Sequence, residues 1–179
     1  MNVNIALLTV TDTRTFENDK SGAILVKKIK EQNHKLVDRK IVKDEKEEIK
    51  KISMFCKKNK IRIIADDIYH GINFSESSDT FFNYNNQSII INSFSKYFLL
   101  TGWRIGWLIC PDNLFESIKN LSPNLFVAPP TISQYVALSV LEEEKYLKKI
   151  SKIENIKIII LRYPNIAGAS INGQLGEKN

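Results

Sequence analysis

Five polar residues recur at short intervals in an otherwise apolar part of the chain. Asp66 lies in the run "IRIIADD", and Tyr69 follows it by three positions. Ser93 and Lys96 follow the apolar run "SIII", and Arg104 stands eight residues beyond Lys96. Within "NSFSKYFLLTGWRIGW", residues 92–107, the lysine and the arginine are set among aromatic and aliphatic side chains. An unpaired buried charge is costly, so such residues need a partner, solvent or a chemical task. The task that uses all five residue types is the handling of pyridoxal 5'-phosphate. A lysine takes up the aldehyde as a Schiff base. A carboxylate at the pyridine nitrogen keeps the ring protonated, and so an electron sink. A tyrosine hydroxyl can bond the ring 3-oxygen, and a serine with an arginine can hold the phosphate. Taken singly, each residue also has a structural reading: Asp66 as a turn residue, Tyr69 as packing, Arg104 stacked on Trp103, Lys96 facing solvent. The set and its spacing point to the chemistry.

Such groups converge when they end neighbouring strands of an α/β sheet, where ligands sit beyond the carboxyl ends. The pattern supplies those strands. Residues 3–10, "VNIALLTV", read as a buried strand and 11–22 as a loop rich in turn formers. Residues 23–32 carry a helical stripe of Ile24, Leu25 and Ile29, which Asn33 can close. Residues 35–42 form a second strand. Asp44 with Glu47 three positions on resembles a capping box for a helix through Ile49, Ile52 and Phe55. Strands are predicted over 61–67, 88–94 and 103–110, the last closed by Pro111. Helices are predicted over 112–121 and 131–148, and a final strand over 156–163. This alternation predicts an α/β fold with a mainly parallel layered sheet and flanking helices.

The net charge is +6, and in the first third of the chain the lysines are interleaved with acids, as in "VKDEKEEIKK", which reads as a solvated helix face. No basic patch alternates with aromatics, so nucleic acid is not expected as a partner. No stretch approaches the roughly 20 apolar residues of a membrane helix, and the start lacks a basic leader. Cys56 and Cys110 suggest neither a disulfide framework nor a metal site. The expectation is a cytoplasmic protein with no metal.

The segments "IRIIADDIYHGINF", "NSFSKYFLLTGWRIGW" and "NLFVAPPTISQYVALSVL" resemble consecutive parts of a class I/II, fold-type I aminotransferase over about residues 50–148. The resemblance implies an incomplete aminotransferase large domain. In it Lys96 is the Schiff-base lysine, Asp66 the partner of the pyridine nitrogen and Tyr69 the partner of the 3-oxygen, with Ser93 and Arg104 at the phosphate. It implies transfer of an amino group from an amino acid to a 2-oxo acid through a lysine aldimine, in a homodimer. Asp66-Asp67 stands where the family usually has Asp-Glu. The substrate-gripping arginine of the family has no counterpart, and the amino donor is left open.

The two ends resemble other families. Residues 3–45, with Thr11–Arg14, Ser21-Gly22 and Val37–Val42, are similar to the opening of the molybdenum cofactor biosynthesis B and molybdopterin adenylyltransferase family. That would give Asp12 and Arg14 a molybdopterin-binding role, although the family's glycine-rich "TGGTG" loop has no counterpart. The tail "IKIIILRYPNIAGASINGQLGEKN" is similar to a strand and loop of UDP-glucose 4-epimerases, with Asn165 at the substrate-contacting position and Pro164 in place of a phenylalanine. These resemblances imply a fused chain with segments 1–48, 49–148 and 149–179. The alternatives to a truncated aminotransferase are a molybdopterin-binding protein and a non-catalytic mosaic α/β fragment.

Overall fold

The computed structural model describes residues 2–72 and 79–153. The strand predicted over 156–163, together with Pro164 and Asn165, lies outside the described residues. The chain forms two compact units, residues 1–60 and 61–179.

The first unit is a strand–helix–strand unit followed by a second helix. Strands β1 (Asn4–Val10) and β2 (Lys35–Val42) pair in parallel, from Asn4 opposite Lys35 to Val10 opposite Val42. Helix α1 (Lys20–Glu31) makes the crossover that a parallel pair requires. Its start is fixed by Asp19, whose carboxylate accepts the Gly22 amide at 2.9 Å. Gly22 is obligatory there, because a Cβ would stand 2.0 Å from Asp19 Oδ2. Its end is closed by Asn33 in the left-handed region (φ 57°), with the His34 amide reaching back to the Ile29 carbonyl at 3.0 Å. Helix α2 (Lys46–Lys58) departs from the capping-box expectation. Glu45 occupies the cap position without a side-chain bond, and the Asp44 amide is held instead by Asp12 Oδ1 at 3.1 Å. That tie to the loop after β1 keeps Asp44 out of the helix, while Glu47 and Glu48 complement the positive end of its dipole.

The second unit is built on a three-stranded sheet in the order β3 (Ile64–Asp66), β4 (Ile89–Ser93), β5 (Gly106–Ile109). β3 and β4 are parallel, and β5 runs antiparallel to β4 with Ser93 opposite Gly106. Two helices follow, α3 (Asp112–Phe126) and α4 (Thr131–Ile153). β3 is shorter than its apolar run; ahead of it the Arg62 guanidinium donates to the Gln87 carbonyl at 2.7 Å. β5 begins only at Gly106, since Thr101–Trp103 form a 3-10 turn and Arg104 is left-handed. α3 passes the predicted end at Leu121 and includes Pro123, whose ring lacks the amide for an i−4 bond. The Ser122 hydroxyl bonds the Ile118 carbonyl at 2.8 Å, and the Val127 amide closes the helix on Pro123. Ala65, Phe81, Ile90 and Phe94 are buried. Phe94 packs edge-on to Trp107 with ring centroids 4.8 Å apart, and against Phe98 at 5.0 Å. The fold is mixed α/β, parallel in two strand pairings and antiparallel in the third.

Candidate cofactor-binding site

The register of the second sheet decides where the five sequence-predicted residues stand. β3 and β4 run in parallel, with Asp66 opposite Ile91, so their carboxyl ends lie on one edge. β5 runs the other way, so its amino end, with Arg104 just before it, lies on that same edge. Asp66, Ser93, Lys96 and Arg104, with Tyr69 in the turn after β3, therefore all belong to one side of one sheet.

The side chains show two kinds of environment. Lys96 Nζ stands over the Tyr69 ring, 5.6 Å from its centroid, an attraction between a cation and the negative face of the ring. Among the described residues Lys96 has no carboxylate partner within ion-pair distance. The exposed Asp66 carboxylate likewise has no hydrogen-bond or ionic partner among them. The neighbouring Asp67 differs: it accepts the Thr80 hydroxyl at 2.7 Å, and its amide bonds the Ile91 carbonyl at 2.9 Å. Of the adjacent acids, Asp67 is structural and Asp66 is left at the strand end. Arg104 is exposed, and its guanidinium donates to the Thr101 carbonyl at 3.1 Å. The left-handed backbone (φ 49°, ψ 49°) is uncommon for a residue with a side chain.

Ser93 sits at the centre of a hydroxyl network. Its Oγ lies 2.8 Å from Ser95 Oγ and 3.2 Å from the Ile105 carbonyl, and it accepts the Ser95 amide at 3.0 Å. Thr101 donates to the Ser95 carbonyl at 2.9 Å. Ser95 and Thr101 escape a sequence reading tuned to cofactor chemistry, because neither carries charge. The signal they offer is three hydroxyl residues bracketing one lysine.

In the first unit, Asp12 and Arg14 do not face one another as a pair. Asp12 is held by the Asp44 amide, and Arg14 donates to the Ser21 hydroxyl at 2.8 Å. The centre of that region is a residue absent from the expectation, Asp19, which is 1% exposed. It accepts Thr9 Oγ1 at 2.8 Å and pairs with Arg39 at 3.0 Å and Arg14 at 3.6 Å. The Gly22 amide, followed by Thr9, Arg39 and Ser21, holds its carboxyl well below the usual carboxylate range against the opposing effect of burial. The sequence signal was the spacing "DKSG", an N-cap acid three residues before a glycine.

A lysine and a carboxylate without ionic partners among the described residues thus stand at the one sheet edge that also carries Ser93 and Arg104. The profile of the family "Aminotransferase class I and II" matches residues 45–163, and the chain belongs to that family, whose members are generally pyridoxal-phosphate dependent. A (5-formylfuran-3-yl)methyl phosphate transaminase of Methanocaldococcus jannaschii is 30% identical over 174 residues, covering 94% of this chain and 44% of that protein. A valine–pyruvate aminotransferase of Mycobacterium tuberculosis is 35% identical over 100 residues, 55% of this chain and 26% of its own length. Among solved structures, an aminotransferase from Mycobacterium tuberculosis superposes with a TM-score of 0.59 at 19% identity, over 78% of this chain and 45% of its own, and shows the fold alone. A Methanococcus jannaschii protein, similar in its active site to kynurenine aminotransferases, matches with a TM-score of 0.55 at 26% identity, over 86% and 46%. The chain spans less than half the length of these relatives. Among the described residues no helix is long and apolar enough to cross a membrane.

Proposed function

We propose that this chain carries the cofactor-anchoring part of a pyridoxal-phosphate-dependent aminotransferase, exchanging amino groups between an amino acid and a 2-oxo acid. The observation that carries the reading is the pair of unpartnered opposite charges, Lys96 and Asp66, at one sheet edge, with the Tyr69 ring against Lys96. The residue types fit the cofactor feature by feature. Lys96 supplies the amine for its aldehyde, and Asp66 a carboxylate for its ring nitrogen. Tyr69 supplies a hydroxyl for the ring oxygen, and Ser93 and Arg104 supply donors for its phosphate. When bound, the cofactor provides the electron sink that acidifies the substrate α-carbon. Lys96 would be the base that moves the proton from that carbon. Among the described residues, Arg104 has only the Thr101 carbonyl to release before it can turn to a phosphate. Pairing as a homodimer belongs to the same proposal.

The test is a titration of the purified chain with pyridoxal phosphate, followed by borohydride reduction and peptide mapping. The expected result is a saturable absorbance band with label confined to Lys96. The band is lost in Lys96→Ala and weakened in Arg104→Ala. Label spread over many surface lysines, unchanged in Lys96→Ala, would sink the proposal.

The fused-chain reading, with a molybdopterin-binding segment 1–48 and an epimerase-like segment 149–179, stands beside it. Its support is the strand–loop–helix–strand order of the first unit, with Asp12 and Arg14 on the loop after β1. Against it, one transaminase aligns across 94% of the chain, a span that runs through both end stretches. Retention of AMP that disappears in Asp12→Ala would favour the fused chain.

A further inference from the structure

The turn that carries Lys96 lies beyond the sheet and is held by backbone bonds and one side-chain tie. β4 ends at Ser93, and the chain then folds through a loop containing Leu99 in the left-handed region (φ 59°). A left-handed leucine is unfavourable and persists only where other contacts hold it. Two consecutive carbonyls are tied at the base of this loop. The Leu100 amide bonds the Phe94 carbonyl at 3.0 Å, and the Thr101 hydroxyl bonds the Ser95 carbonyl at 2.9 Å. The second tie fixes the Ser95–Lys96 peptide, and thereby where the lysine side chain starts.

The Ser93–Ser95 pair adds a constraint of valence. A hydroxyl has one proton and two lone pairs. Ser93 Oγ already accepts the Ser95 amide, and it lies within bonding distance of both Ser95 Oγ and the Ile105 carbonyl. Ser93 therefore cannot donate to both at once. If an external phosphate takes the Ser93 proton, the remaining lone pair of Ser93 is free to accept the hydroxyl proton of Ser95. Every group is then satisfied, and donation into Ser93 strengthens its own donated bond. Ser95 is 6% exposed, so it reaches a ligand only through Ser93.

We propose that Ser95 and Thr101 are positioning residues of the Lys96 site, Ser95 turning the Ser93 hydroxyl toward a phosphate and Thr101 clamping the peptide that carries Lys96. The proposal rests on the cofactor reading above. The experiment compares pyridoxal phosphate with pyridoxal, which has the aldehyde and no phosphate, in the wild-type chain, Ser95→Ala, Thr101→Val and Thr101→Ser. The readouts are the Lys96-dependent band, the pH midpoint of that band, and the melting curve as a folding control. Ser95→Ala is expected to weaken pyridoxal phosphate about five- to tenfold and to leave pyridoxal within about twofold, the value of one lost hydrogen bond. Thr101→Val is expected to weaken both ligands alike and to shift the pH midpoint, with Thr101→Ser restoring wild-type values. Equal loss of both ligands in Ser95→Ala, or wild-type behaviour in both variants, overturns the proposal while leaving the cofactor reading intact. Absence of any Lys96-dependent band in the wild-type chain overturns both. Should Thr101→Val not fold, the ligand comparison in Ser95→Ala decides.

Discussion

Gly106 offers the sharpest test of how the sheet sets the site. It opens β5 directly opposite Ser93, and a Cβ built on it would lie 2.6 Å from the Asn92 carbonyl oxygen and 3.4 Å from Ser93 Cα. The first contact is with backbone, so no rotamer change relieves it. To reach ordinary contact the strands must part by about 0.8 Å. The Phe94 amide and the Ser93 hydroxyl each reach the Ile105 carbonyl at 3.2 Å, and the same parting carries both beyond hydrogen-bond range. Two bonds at about 0.5–1.5 kcal/mol each, or overpacking of about 1–3 kcal/mol if the strands hold, both give a loss near 2 kcal/mol. In a domain of this size that lowers the melting midpoint by roughly 10 °C. Gly106→Ala is therefore expected to melt earlier and to bind pyridoxal phosphate more weakly, since Ser93 moves. The control is Gly102→Ala, four residues away in the preceding turn, where an added Cβ meets nothing within 4 Å; it should change stability by less than about 0.5 kcal/mol. Gly106→Ala with the melting curve and titration of the wild-type chain would refute the reasoning, because the β4–β5 contact would not be what places Ser93.

Other consequences follow from single residues. Arg104→Gly relieves a left-handed side chain worth about 1–2 kcal/mol, so it should melt later than Arg104→Ala while binding pyridoxal phosphate no better; equal melting of the two would show the backbone there to be unstrained. The Asp19 carboxyl is depressed in the folded chain, so its contribution to stability is full above the unfolded value near 4 and fades as the pH falls through and below it. Melting followed from pH 6 to pH 2 should fall more steeply for the wild-type chain than for Asp19→Asn, and parallel profiles would contradict the buried network. Gly22→Ala drives a Cβ into the Asp19 carboxylate and within 2.9 Å of Arg39 Nη2. It should cost about 1–3 kcal/mol, read as faster amide exchange in β1 and β2.

The positions of the candidate residues were legible because they stand at or just beyond strand ends, and strand ends are where an apolar run stops. Asp66, Ser93 and Lys96 could be placed from pattern alone. What pattern could not give was the direction of β5. The run over 103–110 reads as a strand in either orientation, and only the tight folding of 94–105 turns it back antiparallel to β4. That reversal brings Arg104 to the same edge as Lys96; a parallel β5 would have placed it at the opposite edge. Asp19 was hidden for a different reason. A capping acid looks like any loop acid until the fold delivers Arg39 from the next strand, 20 residues away, to pair with it. Ser95 and Thr101 show the same limit at the candidate site itself. Their hydroxyls carry no sequence signature, and their tie to the lysine's peptide is seen only once a turn brings Thr101 back onto it. Residue type announces the groups proposed to touch a cofactor, but the groups proposed to aim them are brought into place by chain reversals, so the second kind emerges only from geometry.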